Sequence, residues 1–230
     1  AVYLADKKQC FLKLYRKGRK EPTCQIELSD EFRRGSVYFV TITGKRNSRD
    51  LRPVAEILTS DYEYMYEADG EEFIDPYAAM VRGREKWGKA AKVQTFNGLR
   101  GGICLEDFNW QGDCQLRLPY SEMILYQLHV RGFTKHNSSG VTHKGTFDGL
   151  MEKIPYLKEL GIRGVVLLPC YEFDEIQTAQ AVGQPLGWQQ EETEQGQKEK
   201  VRLNYWGYGS PGTYYFAPKA SYASDTRNPV

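Results

Sequence analysis

The apolar positions of the chain recur in two different ways, and each predicts its own kind of element. Residues 10–15 alternate apolar and polar side chains, and the β-rich runs 26–28, 37–42 and 62–67 follow. Alternation places every second side chain on one face, as a strand with one buried face requires. Because turn residues separate these short strands, we expect a small β-sandwich over residues 1–75.

Two later runs, residues 123–130 and 165–169, are apolar almost throughout. A run without alternation favours a strand that is covered on both faces, as in a parallel sheet flanked by helices. A helical segment separates the two runs. Together they predict a β-α-β unit with parallel strands, the start of an α/β fold.

The segment between these runs has a helical pattern with clear ends. Thr146 can cap the first free amides, and Gly161 is a natural stop. Pro155 is expected to kink the helix or loosen its middle, because proline lacks the N–H that a helix interior needs. Spacings of three and four residues predict one buried stripe of Phe147, Leu150, Met151, Ile154, Leu157 and Leu160.

The pattern predicts three regions along the chain. The β-sandwich occupies residues 1–75, an irregular connecting segment follows over 76–120, and residues 121–230 contain the β-α-β unit. Two polar stretches, 43–56 and 177–202, have few apolar residues and are expected to be loops.

Composition narrows the classes of function. The formal net charge is +1 and both signs are mixed along the chain, so no nucleic-acid partner is expected. No apolar run approaches the roughly 18 residues that cross a bilayer, so no membrane partner is expected either. The five cysteines form no CxxC pair and are odd in number, which favours reduced thiols and a cytoplasmic protein. We expect no cofactor.

Several motifs follow one another in an order that resembles a known enzyme family. Residues 126–134 read Tyr-Gln-Leu-His-Val-Arg-Gly-Phe-Thr, residues 204–208 read Asn-Tyr-Trp-Gly-Tyr, and residues 215–218 read Tyr-Phe-Ala-Pro. The first motif resembles the first barrel strand of glycoside hydrolase family 13, the α-amylase superfamily. The others are similar to the loop beyond strand two in isoamylase- and pullulanase-like debranching enzymes. The β-rich region 1–75 resembles their family 48 carbohydrate-binding module, an immunoglobulin-like sandwich.

The resemblance implies that residues 121–230 are the beginning of a (β/α)8 TIM barrel, comprising its first strand, first helix and second strand. In this family the nucleophile Asp, the acid/base Glu and the transition-state Asp lie at the ends of strands four, five and seven. The resemblance therefore implies no catalytic residue in this stretch, and a chain that is an interior fragment of a longer enzyme. Two of eight strands cannot close a barrel, so we expect an exposed strand edge and inner face.

For the whole protein, the resemblance implies a retaining glycoside hydrolase that debranches α-1,6 linkages of glycogen or starch. Its partner would be an α-glucan polysaccharide or a branched oligosaccharide. Two alternatives remain open. One is an α-glucan branching transferase, whose barrel start and β-module are closely similar, and the other is a non-catalytic glucan-binding protein.

Substrate binding is expected in the motif at residues 204–208. By resemblance, Tyr208 stacks beneath the glucose ring at the point of cleavage, while Asn204 and Trp206 line the cleft. Gly207 and Gly209 would allow the tight turn that presents the tyrosine ring. The alternative is that Tyr208 is a buried anchor of the loop.

Other polar and aromatic groups favour a structural role over a binding or catalytic one. An acidic group at the end of the second apolar run favours a solvated strand exit over a catalytic pair: Glu172, Asp174 and Glu175. The histidines lie seven residues apart without a cysteine or carboxylate at ligand spacing, so no metal is expected: His129, His136 and His143. Of these, His129 is expected to be packed inside through a hydrogen bond. Three tyrosines at a period of two could stack on sugars, but favour core or interface packing: Tyr62, Tyr64 and Tyr66.

Overall fold

The computed structural model describes residues 1–5, 9–43, 52–89, 98–105, 108–178, 189–192, 198–210 and 212–226. The secondary structure is mostly β-strand, with a few short helices. The chain divides into two compact units. The first is Ala1–Arg84 with Ala91–Asp107, and the second is Glu85–Ala90 with Phe108–Val230.

The first unit is built from short antiparallel strands in two sheets. These strands are β1 (Val2–Tyr3), β2 (Cys10–Arg16), β3 (Cys24–Glu27), β4 (Arg33–Arg34), β5 (Val37–Tyr38), β6 (Tyr62–Ala68), β7 (Glu71–Phe73), β8 (Val81–Arg82) and β9 (Arg100–Gly102). The larger sheet has the order β3-β2-β6-β9-β8, with β7 also paired to β6, and the smaller has the order β1-β5-β4. The larger sheet therefore continues past residue 75, because β9 pairs with β6 and β8 pairs with β9.

Side chains from both sheets form one core in this unit. Its buried members are Val2, Cys10, Leu12, Leu14, Leu28, Tyr38 and Tyr66. On β2, the inward positions Cys10, Leu12 and Leu14 are those that the sequence alternation predicts. Two sheets that share an apolar core are consistent with the predicted β-sandwich.

A buried arginine ties β9 to the rest of the first unit. The Arg100 guanidinium is fully buried and lies 3.7 Å from the centre of the Tyr15 ring. It donates hydrogen bonds to the backbone carbonyls of Arg19 at 2.6 Å and Lys20 at 3.0 Å, and lies 3.6 Å from the Glu63 carboxylate. These partners offset the desolvation of a cation that would otherwise be costly to bury.

Helix α1 (Val54–Asp61) occupies part of the stretch 43–56 that was expected to be a loop, and that prediction was wrong for its last three residues. Pro53 precedes the helix, where its fixed φ suits a helix start. Arg52 and Asp61 form an ion pair at 2.7 Å that links the two ends of the helix. The helix was missed because two turns are too short to give a clear period. Residues 44–51 lie outside the described residues.

In the second unit, the predicted β-α-β unit is present. Strands β10 (Leu125–Leu128) and β11 (Gly164–Leu167) pair in parallel, with Leu125 opposite Gly164 and Leu128 opposite Leu167. The connection between them contains α2 (Val130–Thr134), α3 (Phe147–Met151) and α4 (Ile154–Glu159).

The expected crossover helix is two short helices, α3 and α4. Thr146 caps α3 as predicted, since its hydroxyl accepts the Gly149 N–H at 3.1 Å. Pro155 lies in the first turn of α4, where a missing N–H costs nothing, so the predicted break in the middle is confirmed. Gly161 follows α4 with a φ of 83°, the left-handed conformation of a helix stop.

Much of the apolar surface of this unit is uncovered. In the helices, Leu157 is buried but Met151, Ile154 and Leu160 are exposed, so the prediction of one buried stripe was wrong. Most of β10 and β11 is also exposed. Within the described residues these two strands pair only with each other, so nothing covers the surfaces that a wider sheet would bury.

The rest of the second unit is antiparallel. Its strands are β12 (Tyr171–Glu172), β13 (Ile176–Thr178), β14 (Gln189–Glu192), β15 (Lys198–Leu203) and β16 (Tyr214–Pro218). Strand β12 pairs with β16, and the other three have the order β13-β15-β14. The prediction of a loop over 177–202 was therefore wrong for the described part of that stretch. Backbone pairing needs no apolar side chain, so a polar composition alone does not exclude strands.

No helix within the described ranges is both long and apolar enough to cross a membrane. All five cysteines fall inside those ranges and are free thiols. Burial raises the pKa of the Cys10 thiol to about 11, so this side chain stays protonated at neutral pH and acts as a small apolar core residue.

Candidate functional site

The three predicted substrate-binding residues lie in one closed loop, residues 204–208. The Asn204 side chain uses both of its amide atoms to hold this loop together. Its Nδ2 donates to the Tyr208 carbonyl at 3.1 Å, and its Oδ1 accepts the Gly207 N–H at 3.2 Å. An amide carries a donor and an acceptor side by side, which is why asparagine suits this position.

The two glycines beside Tyr208 have the turn conformation that the sequence predicts. Gly207 has a φ of 76° and Gly209 a φ of 65°, both in the left-handed region. Gly207 has a second constraint, because a Cβ there would lie 2.7 Å from the Phe173 ring, whereas a Cβ at Gly209 would meet nothing within 4 Å. Gly207 thus lets the loop backbone lie directly against Phe173.

The loop presents two aromatic rings to solvent. Trp206 is 53% exposed and Tyr208 is 58% exposed. The alternative that Tyr208 is a buried anchor is therefore not supported by its burial. Exposed aromatic faces can stack on the apolar faces of sugar rings, and here they project from a loop whose backbone is fixed by Asn204.

The loop is attached to the segment that follows β12. The Asn204 N–H donates to the Glu175 carbonyl at 2.7 Å. Two residues beyond the loop's end, the Ser210 hydroxyl accepts the Asp174 N–H at 2.9 Å and donates to the Asp174 carbonyl at 3.2 Å. Both ends of the loop therefore depend on the position of residues 174 and 175.

Two of the three acidic side chains of that segment, Glu172 and Glu175, are buried, so the prediction of a solvated strand exit was wrong for them, whereas Asp174 is half-buried. Glu172 and Glu175 are almost completely inaccessible, and both bind the equally buried Lys219. The Lys219 Nζ lies 2.7 Å from Glu172 and 2.5 Å from Glu175, and it donates a third bond to the Phe173 carbonyl at 2.9 Å. All three N–H donors of the ammonium are thereby used.

The remaining carboxylate oxygens of this cluster are satisfied by backbone amides. Glu172 accepts the Ala220 N–H at 2.8 Å, and Glu175 accepts the Gly88 N–H at 3.2 Å. The Lys219 ammonium also lies 4.6 Å from the centre of the Phe173 ring. A cluster so fully hydrogen-bonded and shielded from water acts as a structural joint between β12 and β16, and its carboxylates cannot reach a substrate.

His129 directly follows β10 and connects it to the 204–208 loop. It is buried and hydrogen-bonded, as predicted. Its Nδ1 accepts the Gly132 N–H at 2.9 Å, and its Nε2 lies 3.0 Å from the Tyr205 carbonyl. Burial, the largest cause, lowers the pKa of His129 and favours the neutral imidazole.

The three histidines do not meet. His136 bonds Ser138 and His143 bonds Glu152. His129 bonds the backbone of Gly132 and Tyr205 and the hydroxyl of Tyr222. Among the described residues, no three His, Cys, Asp or Glu side chains come together as metal ligands would.

The tyrosine series on β6 lies inside the first unit. Tyr66 is buried in the core and stacks on Phe73 at 6.0 Å between ring centres. Tyr64 is half-buried and its hydroxyl donates to Asp75 at 3.3 Å. These contacts favour packing over sugar stacking.

Sequence reasoning missed two side chains that support the loop, Lys219 and Tyr222, and the aromatic partners of a third, Trp87. The Trp87 ring contacts the rings of Phe173, Tyr205 and Tyr222 at 5.5–6.1 Å between centres. For Lys219, the local signal of burial was a single lysine directly after the apolar and aromatic run 214–218. Its partners lie 44 and 47 residues earlier, beyond the reach of any periodicity.

Comparison with known proteins shows which proteins this chain is similar to. No family model matches the chain. Isoamylase 1 of Arabidopsis thaliana, a chloroplastic protein, is 36% identical over 160 residues, which are 67% of this chain and 18% of the relative. A glycogen operon protein GlgX homologue of Haemophilus influenzae is 29% identical over 187 residues, 73% of this chain and 25% of the relative.

A solved pullulanase from Paenibacillus barengoltzii, determined with maltotriose, has the same fold over the region compared. The TM-score is 0.63 at 22% identity, over 99% of this chain and 32% of that protein. The chain spans roughly an eighth to a quarter of the length of the curated relatives it matches.

Proposed function

Since this chain belongs to the isoamylase- and pullulanase-like group of glycoside hydrolase family 13, we propose that it is part of an enzyme that debranches α-1,6 linkages of glycogen or starch. The observation that carries this proposal is the 204–208 loop. Its Trp206 and Tyr208 rings are exposed on a backbone closed by Asn204, in a chain whose relatives include isoamylase and a GlgX homologue.

We propose that the two units match the two parts of such an enzyme. The first would be the carbohydrate-binding module, which its two sheets and shared core support. The second would begin the (β/α)8 barrel, which the parallel pair β10 and β11 with its helical crossover supports. The domain bounds 1–75, 76–120 and 121–230 remain a prediction.

The proposed role of this stretch is to bind and orient the glucan. Tyr208 would support the sugar ring at the cleavage point, with Trp206 beside it and Asn204 holding both in place. A sugar held against an aromatic face is easier to distort toward an oxocarbenium-like transition state. The retaining chemistry itself would be carried by carboxylates outside this stretch.

The test is to assay the full-length protein on pullulan and glycogen. We expect release of reducing ends, and we expect Tyr208→Ala to lower kcat/KM about 10- to 100-fold, because lost stacking costs about 1.5–3 kcal/mol in the transition state. Tyr120→Ala, at another exposed tyrosine, is the matched control and should leave the rate unchanged.

Product analysis separates the proposal from its alternatives. A branching transferase would change chain lengths without raising reducing ends, and a glucan-binding protein would bind maltotriose without changing any glucan. Wild-type rates in Tyr208→Ala would remove Tyr208 from the substrate site.

We also propose an α-glucan as the partner and a cytoplasmic location. The partner is supported by the exposed rings of the loop. The location is supported by five free thiols, since disulfides are rare in the reducing cytosol. Cell fractionation with an antibody to the protein would test the location. Because the Arabidopsis relative is chloroplastic, recovery in a plastid fraction would contradict the cytoplasmic proposal.

A further inference from the structure

We propose that His129, as a neutral imidazole, is a positioning residue that sets the orientation of Tyr205 and Trp206 for glucan binding. This inference rests on the proposed function, because it assumes that the 204–208 loop contacts the glucan. His129 precedes Tyr205 by 76 residues in the sequence, so the contact between them is a tertiary one.

The hydrogen bonds of His129 define its tautomer. Its Nδ1 faces the Gly132 N–H at 2.9 Å, which can only donate, so Nδ1 carries no proton. The proton is therefore on Nε2, which donates to the Tyr205 carbonyl at 3.0 Å. The Tyr222 hydroxyl oxygen, 3.1 Å from the same Nε2, is a second acceptor for that proton.

The imidazole ring also fixes the side chains of the loop. It stacks on the Tyr205 ring at 4.7 Å with an interplanar angle of 21°, and it meets the Trp206 ring edge-on at 5.4 Å and 87°. One side chain thus holds the backbone carbonyl of residue 205 and the planes of two consecutive aromatic residues. Trp206 keeps half of its surface exposed.

The surroundings of His129 favour this neutral state. Two cations already lie against the Trp87 ring, Arg131 at 4.9 Å and Lys219 at 5.8 Å from its centre, and Trp87 stacks on Tyr222. A positive charge on His129 would add a third cation to this aromatic cluster. It would also put a proton on Nδ1 against the Gly132 N–H, so helix α2 would lose its cap.

Two amide substitutions separate the two nitrogens. His129→Asn places an amide oxygen near the Nδ1 position, which keeps the α2 cap but removes the donor to Tyr205. His129→Gln places an amide donor near the Nε2 position, which keeps the bond to Tyr205 but loses the cap. A positioning role in glucan binding depends on the bond to the Tyr205 carbonyl, whereas a merely structural role depends on that bond and on the α2 cap together.

The experiment measures maltotriose binding by calorimetry, KM and kcat on pullulan, and thermal unfolding, all in the full-length protein. We expect His129→Asn to weaken maltotriose binding and raise KM about tenfold, as expected for a lost hydrogen bond that orders the site. His129→Gln should bind within about threefold of wild type, even though its melting temperature falls. His136→Asn, at an exposed histidine whose ring bonds Ser138, is the matched control and should bind like the wild type.

Each outcome decides the inference. Folded His129→Asn that binds like the wild type overturns it, and so does folded His129→Gln that loses binding. If the Asn variant fails to fold, His129→Ala takes its place, since it too lacks the donor to Tyr205, and the Gln variant then controls for the lost cap. A wild-type protein that neither binds maltotriose nor cleaves pullulan overturns the proposed function and this inference with it, whereas wild-type binding matched by both variants overturns the inference alone.

Discussion

The Nζ of Lys219 and the carboxylate of Glu175 lie 2.5 Å apart in a site that water does not reach. Glu172 binds the same ammonium at 2.7 Å, so one lysine joins β16 to the segment after β12. The backbone of Glu175 in turn holds Asn204. The exposed loop therefore depends on an ion cluster buried beneath it.

Lys219→Met should destabilise the full-length protein by about 3–5 kcal/mol, because it leaves two buried carboxylates without their cation. Chemical denaturation followed by circular dichroism would measure this loss. The matched control is Lys219→Met combined with Glu172→Gln and Glu175→Gln, whose amide oxygens can still accept the backbone N–H groups. That variant should regain most of the stability, and a triple variant as unstable as Lys219→Met would contradict the charge argument.

Gly207→Ala and Gly209→Ala should differ in cost, although both residues have positive φ. Gly209→Ala should cost about 1–2 kcal/mol from the left-handed backbone alone. Gly207→Ala should cost about 1–3 kcal/mol more, since its Cβ must displace the Phe173 ring. Thermal unfolding of both variants checks this, and equal melting temperatures would mean that the ring moves aside freely.

Glu152 should contribute stability that depends on pH. It accepts the N–H groups of Thr142 at 2.8 Å and His143 at 3.0 Å, together with the His143 ring at 2.9 Å. The Thr142 amide first, with the His143 contacts after it, lowers the pKa of Glu152 from 4.5 to about 2. Because the folded pKa is the lower one, the contribution is complete above about pH 4.5 and is lost as the pH falls towards 2.

The measurement for Glu152 is a carbon-13 NMR titration of its carboxyl group, with unfolding compared between wild type and Glu152→Gln. The stability difference between the two proteins should shrink between about pH 5 and about pH 2.5. Glu159→Gln, another acid of the same crossover, serves as the control substitution. A Glu152 midpoint near 4.5 would show that the backbone contacts are not maintained in solution.

The isolated 230-residue chain should self-associate through β10 and β11. Leu125, Val165 and Val166 are exposed there, and an exposed apolar strand pair is a template for further pairing. Sedimentation velocity should show oligomers, and the double variant Val165→Thr with Val166→Thr should shift them towards monomer. Val37→Thr, at a similarly exposed strand position in the first unit, should have no such effect, and a compact monodisperse wild type would contradict the prediction.

The features that sequence reasoning found are those with local signals. Thr146, Gly161 and Gly207 lie where a cap, a stop and a turn are dictated by the neighbouring residues. The parallel pairing of β10 with β11 followed from two apolar runs of strand length. The assignment of Asn204 and Tyr208 to a binding loop came from the family resemblance and remains a prediction.

What could not be predicted depends on partners distant in the chain. The burial of Glu172 and Glu175 requires Lys219, and nothing in the residues around the two acids distinguishes a buried ion pair from a solvated turn. Strands β13, β14 and β15 are polar, so backbone pairing rather than composition defines them. Helix α1 is short enough that its period is lost among its polar neighbours.

The order of the two units along the chain has a consequence for synthesis on the ribosome. Glu85–Ala90 belongs to the second unit, but β9 of the first unit follows it. In the first unit, Arg100 can therefore pack against Tyr15 only after residues 85–90 of the second unit have left the ribosomal exit tunnel. Trp87 must then wait for Tyr222, which emerges 135 residues later, or about 7–27 s at usual rates of translation. In the first part of that interval, before Phe173 and Tyr205 emerge, the nascent chain carries an uncovered tryptophan, a natural point of contact for a chaperone.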